Sequence, residues 1–110
     1  MAKARTYSRY STEAAALLGG QIKLERKQLK WTEHDLADRA GISRGTLQKI
    51  EKGDLSCAIG LVFEVAALVS VRLFDSENRS LVAHHERIAD KLALLPKAVR
   101  KKKKDIDDDF

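Results

Sequence analysis

Arg44, Gln48 and Lys49 fall within one short segment, ISRGTLQKIE (42–51), and each carries hydrogen-bond donors on a long side chain. A guanidinium can pair two N–H groups with O6 and N7 of guanine, and a primary amide can in principle reach adenine. Lys49 offers a charge that suits a guanine or a phosphate. Gly45 brings no side chain and permits close backbone approach. Thr32 and Ser43 precede short helical patterns, where hydroxyls and helix-terminal amides suit phosphate oxygens, as does the hydroxyl of Thr46. The chemistry implied is recognition of duplex DNA, with Arg44, Gly45, Gln48 and Lys49 at bases and Thr32, Ser43 and Thr46 at phosphates. For each residue the plainer alternative is a solvated helix face.

No catalytic constellation accompanies them. The chain has no GxxxxGK[ST] loop and no HExxH pair. His84 and His85 are adjacent, so on a helix they point about 100° apart and make a poor metal pair. Asp35 and Asp38 are better explained by capping and solvation. Cys57 is the single cysteine, which excludes an intrachain disulfide and fits a reducing cytosol. It lies in an apolar run and reads as core. No enzyme activity, cofactor or metal is expected.

The elements that must position these residues come from 110 residues, enough for one domain with appendages. A net charge of +5 favours a polyanionic partner. The basic N-terminus MAKARTYSRY has no apolar segment after it, and LVFEVAALVSV is interrupted by Glu64 and Ser70 and too short to span a bilayer. A cytoplasmic protein, on the nucleoid when bound to an operator, is expected.

Residues 1–10 read as a flexible basic arm, whose Arg5 and Arg9 suit a neighbouring minor groove or simply solvent. Ser11 or Thr12 can cap a helix over 13–29, with Leu17, Leu18, Ile22 and Leu29 on its buried face. The pair Gly19-Gly20 weakens that helix by about 1 kcal/mol per glycine, which implies a conformational or packing reason for it. Thr32 and Asp35 have capping-box spacing and start a helix over 33–40. Gly41 stops it, Ser43 caps a second helix over 44–51, and Gly53 follows. Leu36, Ala37 and Ala40 then face Ile42, Leu47 and Ile50, a helix-turn-helix.

A fourth helix over 57–70 is apolar almost all round, with Val62, Val65, Ala66 and Val69 inward. Leu61 and Leu68 are left for a subunit interface. VRLF (71–74) alternates in and out and suits a short strand, which would have to pair with its copy in a second subunit, placing Val71 and Leu73 in the dimer. Ser76 caps a fifth helix, 77–95. Its stripe Leu81, His85, Ile88, Leu92, Leu95 suits either a helix–helix seam or packing on the domain. The domains expected are an arm (1–10), a DNA-binding and dimerisation domain (11–75), a C-terminal helix (76–96) and a charged tail (97–110).

The segment TEHDLADRAGISRGTLQKIEKGD resembles the Cro/repressor-type (XRE) DNA-binding domain, with Thr32, Leu36, Ala37, Gly41, Ile42, Ser43, Leu47, Ile50, Glu51 and Gly53 in place. The resemblance covers about residues 14–72. It implies an all-α, five-helix, lambda-repressor-like fold that is dimeric on a near-palindromic operator. The family often has glutamine after the first cap, bracing phosphate and recognition helix. Glu33 stands there instead, an anion beside DNA, suited to holding Arg44 or Lys49.

The end of the chain, LALLPKAVRKKKKDIDDDF, is similar to the ends of HipB-like antitoxins, encoded beside HipA-type kinase toxins. This shorter resemblance implies a HipA-like serine/threonine kinase as partner, held inactive, with a C-terminal aromatic residue docked on it. Residues 97–110 reach about 45 Å if extended. Asp107, Asp108 and Asp109 suit a basic groove, and Phe110 would be the apolar anchor. Two readings follow: an antitoxin that represses its own operon, or a stand-alone XRE-family or phage-type repressor with no toxin partner and a merely solubilising tail.

Overall fold

The computed structural model describes residues 5–74 and 80–101. The chain divides into two compact units, Met1–Phe74 and Asp75–Phe110. Among the described residues there are five helices and no strand, so the protein is all-α, as the sequence implies for a lambda-repressor-like domain.

The first unit holds four helices. Helix α1 spans Arg9–Gln28 and is capped by Ser8, whose hydroxyl accepts the Ser11 N–H at 3.1 Å. It therefore starts a turn before the expected residue 13, and Arg9 and Tyr10 belong to the helix rather than to an arm. The earlier start adds backbone hydrogen bonds and an Arg9–Glu13 ion pair at 3.1 Å, four residues apart on one face.

The inward stripe of α1 is Leu18, Gly19, Ile22 and Arg26. The expected face was partly wrong, since Leu17 and Leu29 are 64% and 45% exposed. Leu17 lies about 100° round the helix from Leu18. The true stripe contains a glycine and an arginine, which a search for apolar residues passes over.

Helices α2 (Glu33–Ala40) and α3 (Arg44–Glu51) have the bounds expected from their caps. At α2 the Thr32 hydroxyl accepts the Asp35 N–H at 3.0 Å, and the Asp35 carboxylate accepts the Thr32 N–H at 2.8 Å. These bonds, the backbone one first, hold the Asp35 carboxyl below its ordinary range. The turn after α2 runs through Gly41, at φ 71°, with the Ile42 N–H closing on the Ala37 carbonyl at 3.0 Å. That left-handed position favours glycine.

Helix α4 spans Ile59–Leu68, shorter than the expected 57–70. Ala58 at its N-cap has no side chain to accept an amide, so Cys57 and Ala58 stay outside. At the other end Ser70 takes φ 65° and the Val71 N–H returns to the Ala66 carbonyl at 2.8 Å, ending the helix. Val65, Ala66 and Val69 join Ile22, Leu36, Ala37, Leu47 and Ile50 in one core, with Val62 packed at its edge. Residues 71–74 are irregular, so the expected strand is absent from the single chain. The alternation is there, with Val71 and Leu73 half-buried against the core and Arg72 and Phe74 exposed, but an isolated strand has no ladder to join.

The second unit holds α5, Leu81–Ala93, capped by Ser80 through the Ala83 N–H at 3.2 Å. The expected helix 77–95 is thus shorter at both ends. Ser76, the expected cap, lies outside the described residues. At the far end Pro96 disfavours helical backbone in the residue before it, and the helix closes at Leu94. No residue of α5 is buried, and Leu81, Ile88, Leu92 and Leu95 are all more than half exposed.

Candidate nucleic-acid interface

Helix α3 is seated on α1 by three features. Leu47 and Ile50 enter the core. A methyl group built on Gly19 would lie 2.5 Å from the Ile50 carbonyl oxygen and 2.6 Å from that of Glu51, so the backbones touch there. Glycine is required at 19 for lack of room, whereas nothing lies within 4 Å of such a methyl at Gly20. The expected packing reason for the glycine pair therefore belongs to Gly19 alone.

The third feature is an ion pair. Arg26 of α1 donates from Nε to Glu51 Oε2 at 2.7 Å and from Nη2 to Oε1 at 3.0 Å. Its Nη1 donates to the Trp31 carbonyl at 3.0 Å. The two side chains are 6% and 4% exposed. The Glu51 hydrogen bond, the larger influence, holds the Arg26 guanidinium above its ordinary range despite burial. Glu51 appeared in the family resemblance, but nothing in the sequence reading singled out Arg26. The signal was a charged residue one turn after Ile22 on an inward face. Arg39 covers the Trp31 ring at 4.2 Å, closing the same corner.

The outer side of α3 carries the expected base-reading residues. Arg44 begins the helix with its side chain 67% exposed, and Gly45 and Lys49 are exposed beside it. Gln48 is half-buried, one turn after Arg44. Arg44 Nε donates to Glu33 Oε1 at 2.9 Å, and Gln48 Nε2 donates to that same oxygen at 3.0 Å. Glu33 thus holds Arg44, as expected, and Gln48 in place of Lys49. Lys49 makes no ion pair among the described residues. The hydrogen bond from Gln48 and then that from Arg44 hold the Glu33 carboxyl below its ordinary range.

The residues expected at phosphates ring the N-termini of α2 and α3. The Ser43 hydroxyl accepts the Thr46 N–H at 3.0 Å and donates to Thr46 Oγ1 at 3.0 Å, so its proton is committed inside the chain. The Thr46 hydroxyl proton stays available for an acceptor, as does that of Thr32 beyond its capping bond. Gly45 has no internal need to be glycine, since a methyl there would meet only Ser43 Oγ, at 3.9 Å.

Other expected sites are scattered. Leu61 is exposed on α4, whereas Leu68, Val71 and Leu73 are half-buried against their own core. Asp107, Asp108, Asp109 and Phe110 lie outside the described residues. Cys57 is half-buried, and burial pushes its thiol up, away from nucleophilic character. Among the described residues no three His, Cys, Asp or Glu side chains converge on a metal position, and no helix is long and apolar enough to cross a membrane.

Residues 22–70 match the helix-turn-helix family model, a span from the second half of α1 through α4. No curated protein and no solved structure matches the chain. The matched segment is thus similar to the helix-turn-helix of XRE-type DNA-binding regulators.

Proposed function

We propose that this chain, with a DNA-binding helix-turn-helix at residues 22–70, is a sequence-specific antitoxin that represses its own operon and neutralises a HipA-like serine/threonine kinase. The observation that supports operator reading is the outward side of α3. Arg44, Gly45, Gln48 and Lys49 stand there together, flanked by the hydroxyls of Thr32, Ser43 and Thr46 at two helix N-termini. In this reading α3 enters the major groove with its N-terminal residues at base edges, and the hydroxyls of Thr32 and Thr46 and the helix-terminal amides beside Ser43 take phosphates. A homodimer, joined through Leu61, Leu68, Val71 and Leu73, places a second α3 one helical turn away, about 10 bp centre to centre. The protein works in the cytoplasm, on the nucleoid when bound to its operator. Replacing Arg44 by alanine should cost about 1–3 kcal/mol on the cognate duplex and relax preference at one base pair. Unchanged affinity in a gel-shift titration would reject its base-reading role.

The toxin-binding half of the reading is supported by the likeness of residues 92–110 to the ends of HipB-like antitoxins and by the acidic, aromatic terminus Asp107, Asp108, Asp109, Phe110. Deleting residues 105–110 should spare operator binding by the free protein and weaken co-purification with the kinase encoded beside it. If the truncated chain holds that kinase as tightly as the intact one, the tail is not the anchor. If no such kinase is encoded there, the stand-alone repressor replaces the antitoxin.

A further inference from the structure

We propose that Glu33 is a specificity-determining residue, which fixes how α3 presents Arg44 and Gln48: Arg44 end-on to a guanine through its two terminal N–H groups, and Gln48 with its carbonyl oxygen toward a base amino group. The inference rests on the operator-reading role proposed above and adds to it the hydrogen-bonding mode of each residue and the group that imposes it.

The geometry carries it. Glu33 begins α2, while Arg44 and Gln48 sit one turn apart on α3, so a single carboxylate at the helix junction spans both. One oxygen, Oε1, accepts both bonds, at 2.9 Å from Arg44 Nε and 3.0 Å from Gln48 Nε2. An ionised carboxylate only accepts, so the Gln48 amide must turn its nitrogen toward Glu33 and its oxygen away. A free glutamine can pair bidentately with adenine, offering donor and acceptor together. Held by Glu33 through one N–H, Gln48 is fixed with its carbonyl oxygen outward, which suits adenine N6 or cytosine N4, and its second N–H is left for adenine N7. Arg44 has given its Nε, so the side-on fork of Nε with Nη2 is occupied. The end-on fork of Nη1 and Nη2 makes no hydrogen bond among the described residues and matches guanine O6 and N7.

Charge supports the same role. A carboxylate at the groove edge repels phosphates and offsets much of the Arg44 charge, lowering the attraction common to all duplexes. The directional pairing with guanine survives, because it needs the terminal N–H groups. Glu33 therefore trades affinity for discrimination. A purely local role, an acid in the first turn of α2 complementing the helix dipole, would alter stability and leave base preference untouched.

The test is selection of binding sites from a random duplex pool by the wild-type chain and by Glu33→Gln, which keeps the shape and removes the charge. Affinities on the selected duplex, on one with the selected guanine replaced, and on a scrambled duplex are then compared at one salt concentration. The wild type should select a guanine, with adenine or cytosine at the Gln48 position. Glu33→Gln should bind scrambled DNA several-fold more tightly and lose about tenfold of its preference for guanine. A variant that keeps the wild-type preference overturns this inference and leaves operator reading intact, even where its melting temperature has changed. A wild-type chain that binds no duplex overturns both.

Discussion

Glu51→Ala should remove about 3–5 kcal/mol of folding stability, the cost expected when one partner of a buried ion pair is deleted. Native domains hold about 5–15 kcal/mol in all, so this one change brings the domain close to unfolding. The reason lies in what is left behind. Arg26 is 5% exposed and cannot lose its proton, so without Glu51 its charge stays in the interior with only the Trp31 carbonyl as partner. The charge must then draw in water or drag α1 away from α3. Urea denaturation should show a large fall in midpoint. Replacing both partners, Arg26→Met with Glu51→Leu, removes the charges together and should restore stability to within about 1–2 kcal/mol of the wild type or exceed it. A Glu51→Ala protein whose midpoint matched the wild type would refute the burial of this pair.

The neighbouring glycines of α1 should respond in opposite senses. Gly19→Ala puts a methyl 2.5 Å from one carbonyl oxygen of α3 and 2.6 Å from the next, and these are backbone atoms that cannot rotate aside. Overpacking of this kind costs about 1–3 kcal/mol, occasionally more. Because α3 carries the residues proposed to read bases, the displacement should weaken operator binding as well. Gly20→Ala meets nothing within 4 Å and gains the higher helix propensity of alanine, about 1 kcal/mol. Two adjacent substitutions of identical chemistry are thus expected to move the melting temperature in opposite directions. Equal shifts for both would mean that α1 does not rest on the end of α3 through Gly19. Gly53 marks the same seam from the other side: it combines φ 82° with a methyl position 2.7 Å from the Ala16 Cα.

How much of this was legible beforehand depended on the range of the interaction. The ends of α2 and α3 were readable to the residue, because Thr32, Asp35, Gly41 and Ser43 act within four positions of themselves. The start of α1 was missed by a turn. Ser8, Ser11 and Thr12 are all competent caps, and local preference does not rank them. The inward face of α1 was missed in part because two of its members, Gly19 and Arg26, are there for their fit to α3 and not for their hydrophobicity. The strand at 71–74 was read from a real alternation, yet alternation reports which side is covered and not whether a ladder exists.

The sequence alone determined the helical class, the helix-turn-helix and the set Arg44, Gly45, Gln48 and Lys49 on its outer side. Those follow from caps, turns and a periodicity of 3.6, all of them properties of neighbouring residues. Tertiary structure decided what those side chains do before any ligand arrives. Glu33 lies 11 residues from Arg44 and 15 from Gln48, and Arg26 lies 25 from Glu51. No periodicity links such positions. They meet because burial of Ile22, Leu36, Leu47 and Val65 in one core brings the helix ends together, and the buried charges of Arg26 and Glu51 must find partners there.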